Sequence, residues 1–279
     1  MLYFNIILSI LLFNFNILLN NSEKKANISW NKLDEGLYFA NIDAPQKSIV
    51  GNSKISVLKI DPKYYNFCLL SASEHNNKTQ TIKDWAIQYN LTAAINAGMF
   101  KLSNNITSTG YMKNYSHINN SKFKRGFNSL AAFNRIGNNV PEFQIIDLTD
   151  KNHKEIINSY NSFFQGIRLI DNNQKPIFWH SKPKMKCSIC ALATDKNNNV
   201  LFIFSRSPYT INNFIKMLLT LQINIYNAMY LEGGPETSFY VSSKDTVIEN
   251  FGSYVSPSYA NDKNDHFWKL PNVIGIKKK

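Results

Sequence analysis

Three cysteines in 279 residues are too few for a disulfide framework, and their placement argues against a metal. Cys187 and Cys190 have C-x-x-C spacing in KCSICALAT, but no second Cys or His pair completes a zinc set. That stretch reads as a strand, in which residues three apart face opposite sides. Both thiols are therefore expected to be small core residues, as is Cys68 in NFCLLSA. Histidine is also scarce, with five in the chain, and no G-x-S-x-G elbow occurs. This disfavours a serine or cysteine hydrolase. Acidic residues are outnumbered, 19 against 31 Lys and Arg, which leaves a net charge of +12. The lysines are spread out, however, with no long basic block, zinc finger or aromatic-basic RNA signature. The charge therefore points to an anionic small substrate or surface rather than to nucleic acid.

The chain is 44% hydrophobic and 13% aromatic, enough for a sizeable core, and no linker, low-complexity break or internal repeat divides it. One α+β domain is expected over residues 27–279, with a mixed, mostly antiparallel sheet covered by a few helices. Residues 1–26 stand apart. MLYFNIILSILLFNFNILL is apolar except for Asn and Ser and then turns polar, as in a signal peptide or an N-terminal membrane anchor. No basic residue precedes it and no clean small-x-small site follows. Export to the periplasm or the exterior is expected, with membrane contact only if the leader is retained.

GLYFANIDA and SKISVLKIDPKYYNFCLLSAS alternate and are rich in Ile, Val, Tyr and Phe, so they read as strands. TIKDWAIQYN reads as a helix capped by Thr81, with Ile82, Trp85, Ala86 and Tyr89 on one face. GYMKN, NSLAAFN and EFQIIDLT read as further strands. KNHKEIINSYNSFFQ is a helix candidate. GIRLIDNNQKPIFW reads as a hairpin around Asn172 and Asn173. SICALATDKNNNVLFIFS is a second hairpin turning at Asp195 to Asn199. TINNFIKMLLTLQI is the clearest amphipathic helix, with Thr210 as N-cap, and AMYL and NVIGI are later strands.

Two strand ends stand out. INAGMF closes a buried run with Asn96 and Gly98, and YLEGGPE closes another with Glu232, Gly233 and Gly234. Each is either a tight turn or a place where a rigid scaffold offers a polar group and close backbone approach to a ligand. If they form one site, Asn96 and Glu232 should lie on neighbouring strands of one sheet and face one cleft, with Lys186 or Arg206 on the same wall.

From about Ser71 onward, AAINAGMF, FNSLAAFN, FQGIRLID, SICALATDKNNNVLFIFSRSPYTINNFIKMLL, NAMYLEGGPETSFYV and NVIGI follow an order that resembles the phosphodiester glycosidase family. This family includes the lysosomal uncovering enzymes, which remove N-acetylglucosamine from mannose-phosphate diesters, and many exported bacterial proteins. Two departures are visible: Glu232 where many members carry Asp, and Lys186 where relatives often carry Arg. The resemblance implies a hydrolase that cleaves the C1–O bond of a sugar-1-phosphodiester in glycan or cell-envelope material. The departing phosphate needs neutralising, a task suited to Lys186 and Arg206. Glu232 would activate water or stabilise charge at C1, and Asn96 would orient a sugar group. Gly98, Gly233 and Gly234 would let substrate approach the backbone, and Ser205 and Ser207 would bond phosphate oxygens. Arg168 is either a substrate ligand or a paired structural cation. Glu236 is read as an ordinary solvated turn residue rather than a second carboxylate. No cofactor is expected, although scattered oxygens for Ca²⁺ or Mg²⁺ remain open from sequence. The alternative is a non-catalytic binder of anionic cell-envelope glycans.

Overall fold

The computed structural model describes residues 28–180, 185–256 and 262–279. The leader expected before residue 27 lies outside them. Among the described residues no helix is long and apolar enough to cross a membrane.

Two sheets pack face to face. One has eleven strands, with Lys186–Asp195, Val200–Thr210 and Ile225–Gly233 near its centre. The other has five, built around Ala93–Asn96, Ser238–Ser243 and Asn272–Lys278. The expected mixed sheet is corrected on two counts. There are two sheets, and every pairing among the named strands is antiparallel.

The core follows from period-two alternation. Phe202, Phe204, Leu192, Met229 and Leu231 of the large sheet meet Phe67, Ile95, Phe239, Val241 and Ile274 of the small one. The opposite face of the large sheet, with Ile189, Ala191, Ile203 and Ala228, is covered by helix Ile211–Thr220 through Phe214, Ile215, Met217 and Leu218. The outer face of the small sheet carries Ala94, Tyr240 and Val273 under helix Ile82–Gln88, which contributes Ile82, Trp85 and Ala86. Central strands are thus covered on both faces, which is why they read as nearly continuous apolar runs. Cys190 faces the other sheet and Cys187 the helix layer, both buried and unbridged, so the two thiols sit on opposite faces.

Both expected caps are present. Thr81 Oγ1 accepts from the Asp84 amide at 3.1 Å, and Thr210 Oγ1 from the Asn213 amide at 3.2 Å. The hairpin turn after Asp195 is fixed by that carboxylate, which accepts from the amides of Asn197 (2.8 Å) and Asn199 (2.9 Å). One helix expectation fails. Only His153–Ile157 of KNHKEIINSYNSFFQ is helical, and Tyr160–Ile170 is an eleven-residue strand. Phe163 and Phe164 point to opposite apolar layers, a two-sided burial that a helical stripe does not provide.

Candidate active site

Glu232 lies near the end of the long central strand Ile225–Gly233, whose neighbours hold it from both edges. Ile189 pairs with Gly233 and Cys190 with Glu232, but Ala191 pairs with Tyr230, so Leu231 is an extra residue on this strand. Such a bulge re-aims the side chains beyond it and is common beside active sites. The chain then leaves the sheet at Gly234, whose φ of +89° suits glycine and whose amide donates to the Ser188 carbonyl at 3.0 Å. Gly233 is required for a different reason. A Cβ there would collide with Tyr230 Oη and stand 3.0 Å from Cys187 Sγ.

The cleft that this turn opens has a volume of about 540 Å³. Met99, Phe100, Val255 and Trp268 give it apolar walls, and Glu232 and Glu236 are its two carboxylates. No lysine, arginine or histidine lines it among the described residues. Burial therefore dominates the electrostatics. It pushes the Glu232 carboxyl up to about 8, helped by the nearby Glu236 charge, against a weaker opposing hydrogen bond from the Gly233 amide at 3.0 Å. Burial also raises Glu236. At neutral pH Glu232 is thus mainly a protonated acid, with a second, also burial-raised, carboxyl group beside it.

Asn96 reaches the same turn from the other sheet. Its Nδ2 donates to the Glu236 carbonyl at 3.0 Å, and its Oδ1 accepts from the Ser238 amide at 2.7 Å. The two strand-end motifs do meet, but not as neighbours in one sheet. Asn96 belongs to the five-stranded sheet and Glu232 to the eleven-stranded one, and the inter-sheet edge joins them. Gly98, at φ +75°, turns the chain towards Met99 and the cleft, with the Gln165 carbonyl 3.3 Å from where a Cβ would lie.

The expected cations are elsewhere. Arg206 gives Nε to the Asp262 carboxylate at 2.9 and 3.0 Å, Nη1 to the Phe251 carbonyl at 2.7 Å and Nη2 to the Asn264 carbonyl at 2.5 Å. Its guanidinium also lies 4.7 Å from the Phe251 ring centre. This arginine clamps the segment around Asn264, and its charge is matched by Asp262 rather than offered to the cleft, which it does not line. Arg168 is ion-paired with Asp147 in a buried site and also touches Thr149, the paired-cation alternative. Lys186 opens strand Lys186–Asp195 opposite Thr210, and its carbonyl accepts from the Ser256 amide at 2.9 Å; it does not line the cleft. Ser205 Oγ donates to the Ser207 carbonyl at 3.0 Å, and Ser207 Oγ accepts from the Ser53 amide at 2.8 Å. Both serines are fully buried and hold a loop.

Sequence reasoning missed Glu236, which is half-buried in the cleft rather than solvated. Its signal was the spacing: it lies four residues after Glu232, across a Gly-Gly-Pro turn that folds both back on one opening. Thr109 and Trp268 carried no local signal, because their loops reach the cleft only in the assembled fold. No group of three or more His, Cys, Asp or Glu gathers among the described residues.

A model of the phosphodiester glycosidase family matches residues 89–277. Among solved structures, the fold is similar to a hypothetical protein from Synechocystis, with a TM-score of 0.60 at 14% identity. That match covers 91% of this chain and 64% of the other, so this chain spans less than two thirds of that protein. It is also similar to the catalytic domain of zebrafish N-acetylglucosamine-1-phosphodiester alpha-N-acetylglucosaminidase, auto-inhibited by its pro-peptide. Here the TM-score is 0.59 at 11% identity, covering 92% of this chain and 85% of that one. No curated protein sequence matches the chain.

Proposed function

Because the chain belongs to the phosphodiester glycosidase family and is an enzyme of that type, we propose that it hydrolyses the C1–O bond of a sugar-1-phosphodiester in glycan or cell-envelope material, with Glu232 as acid and Glu236 as its basic partner. The observation that carries this reading is the pair of carboxyl groups in one apolar cleft, both raised by burial, with the Glu236 charge adding to the rise of Glu232.

A phosphodiester brings a negative charge into a cleft whose described lining holds no cation. An ionised Glu232 would repel it, whereas a protonated one donates a hydrogen bond. As C1–O stretches, the Glu232 proton passes to the bridging oxygen, so that the phosphate monoester leaves with its bridging oxygen protonated rather than on a cation of the described lining. Water attacks C1 and gives its proton to Glu236, so the products are the free sugar and the monoester. One carboxyl has lost a proton and the other has gained one, and exchange through solvent restores the pair. Asn96 acts by fixing the backbone that carries Glu236. The apolar walls lower the local dielectric around Glu232 and keep the acid protonated.

The leader composition supports export as the setting, so that cell-envelope glycans are the substrates within reach. Glu232→Gln on a synthetic sugar-1-phosphodiester tests the chemistry. Turnover should fall on the order of 10²–10⁴-fold, the usual worth of general acid–base catalysis. Unchanged turnover would remove Glu232 from the mechanism, whereas glycan binding with no turnover by the wild-type chain would make the non-catalytic glycan binder the better reading.

A further inference from the structure

A second and larger cavity, of about 760 Å³, opens on the other side of the segment that walls the cleft. Thr109 lines the cleft and Tyr111 lines this cavity, while Gly110 between them packs against Gln165. Phe123 stands at its mouth, 51% exposed, yet held by a parallel stack on Tyr111 with ring centres 4.4 Å apart and planes 7° from each other. One aromatic face is thus presented to solvent in a fixed orientation.

The cavity is rimmed by cations from two elements, Lys124 and Arg125 on the loop after Phe123 and Lys154 on the short helix opposite, where His153 also lines it. None of Lys124, Arg125 and Lys154 has a carboxylate within ion-pairing distance among the described residues. The loop is built rather than loose. Gln165, 2% exposed, accepts from the amides of Tyr111 (3.0 Å) and Lys124 (2.8 Å) and donates to the carbonyls of Lys124 and Phe127. A fully satisfied buried amide thus fixes the backbone beneath two unpaired cations.

We infer that this cavity is a second binding site for an anionic saccharide, a phosphate-bearing sugar whose ring lies on Phe123 and whose phosphate is held by Lys124, Arg125 and Lys154. An exposed aromatic face suits the C–H face of a sugar ring, and unpaired cations around an apolar floor suit one phosphate rather than an extended duplex. The choice of a sugar phosphate rests on the proposed activity. The site then grips a second unit of the same anionic glycan, one wall away from the bond that is cut.

Glucose 6-phosphate, glucose and inorganic phosphate, titrated by calorimetry into the full chain and its variants, test the site. The expected result is binding of glucose 6-phosphate in preference to both partial ligands. It should weaken at least roughly tenfold in Phe123→Ala and in the Lys124→Ala/Arg125→Ala double variant, and stay unchanged in Glu232→Gln. Unaltered melting temperatures of the exposed-residue variants exclude unfolding as the cause. The proposal is overturned by no binding, by equal binding of phosphate alone, or by binding lost in Glu232→Gln but kept in Phe123→Ala. It is also overturned if anionic phosphatidylglycerol vesicles, and not the sugar phosphate, depend on these residues. Turnover of a small sugar-1-phosphodiester should be untouched in Phe123→Ala. Failure of this site therefore leaves the catalytic reading standing, and failure of Glu232 chemistry leaves the binding data readable.

Discussion

The side chain of Asn96 and the backbone of Glu236, 140 residues apart, are joined across the two sheets by one hydrogen bond of 3.0 Å. A second bond, from the Ser238 amide, makes the Asn96 carboxamide a two-point clasp on the turn that carries the cleft carboxylate. Both motifs that stand out in the sequence are therefore parts of one object, with Asn96 as its fastener.

Asn96→Ala should accordingly leave the buried Ser238 amide without its acceptor and the Glu236 carbonyl with only the Ser238 hydroxyl. A loss of about 1–3 kcal/mol in stability is expected, read by urea denaturation. Turnover should fall through kcat as Glu236 loses its fixed position. An Asn96→Ala enzyme with wild-type stability and kcat would show that the clasp is idle.

Glu232 should also make stability depend on pH in a definite direction. Its folded carboxyl titrates near 8, well above the ordinary 4.5, so between those values the folded state holds a proton that the unfolded chain has released. Its contribution is therefore greatest below about pH 4.5 and is lost as pH rises towards 8. Melting curves of wild type and Glu232→Gln across this range should diverge, with the Gln variant relatively more stable at pH 8. Parallel curves would mean that the carboxyl titrates normally.

Gly233 should tolerate no side chain. In Gly233→Ala the new methyl meets Tyr230 Oη and Cys187 Sγ, both fixed in the core, and backbone must shift to relieve it. A cost of roughly 1–3 kcal/mol follows from overpacking, measured by denaturation. Gly126→Ala makes a useful control: its Cβ would meet no atom, so only its φ of +85° is penalised.

Residues 1–30 fused to a reporter active only outside the cytoplasm should give activity, because the apolar leader favours membrane entry. A stable but silent cytosolic fusion would contradict the export proposal.

Much of this fold was legible because period-two alternation and Thr caps are local. The strands around Leu37, Lys54 and Val200 and the helix behind Thr210 could be read within a few residues. The tail of KNHKEIINSYNSFFQ misled because Phe163 and Phe164 are buried on both faces, which periodicity alone does not assign. At the site, Glu232 and its glycines were readable from a charged residue ending an apolar run. The fate of Arg206 was not, because its partners Asp262, Phe251 and Asn264 lie 45 to 58 residues away. A cation beside a strand-end motif looks the same in sequence whether it meets substrate or its own chain.

The placement of Cys187 and Cys190 has a consequence for redox life. The sheet itself stands between the two sulfurs, one under the helix layer and the other between the sheets. Burial holds both thiols far from the thiolate form that attacks disulfides, with Cys187 pushed up to about 12. A C-x-x-C in this setting stays open even under oxidising conditions, and its oxidation would report that the sandwich had opened.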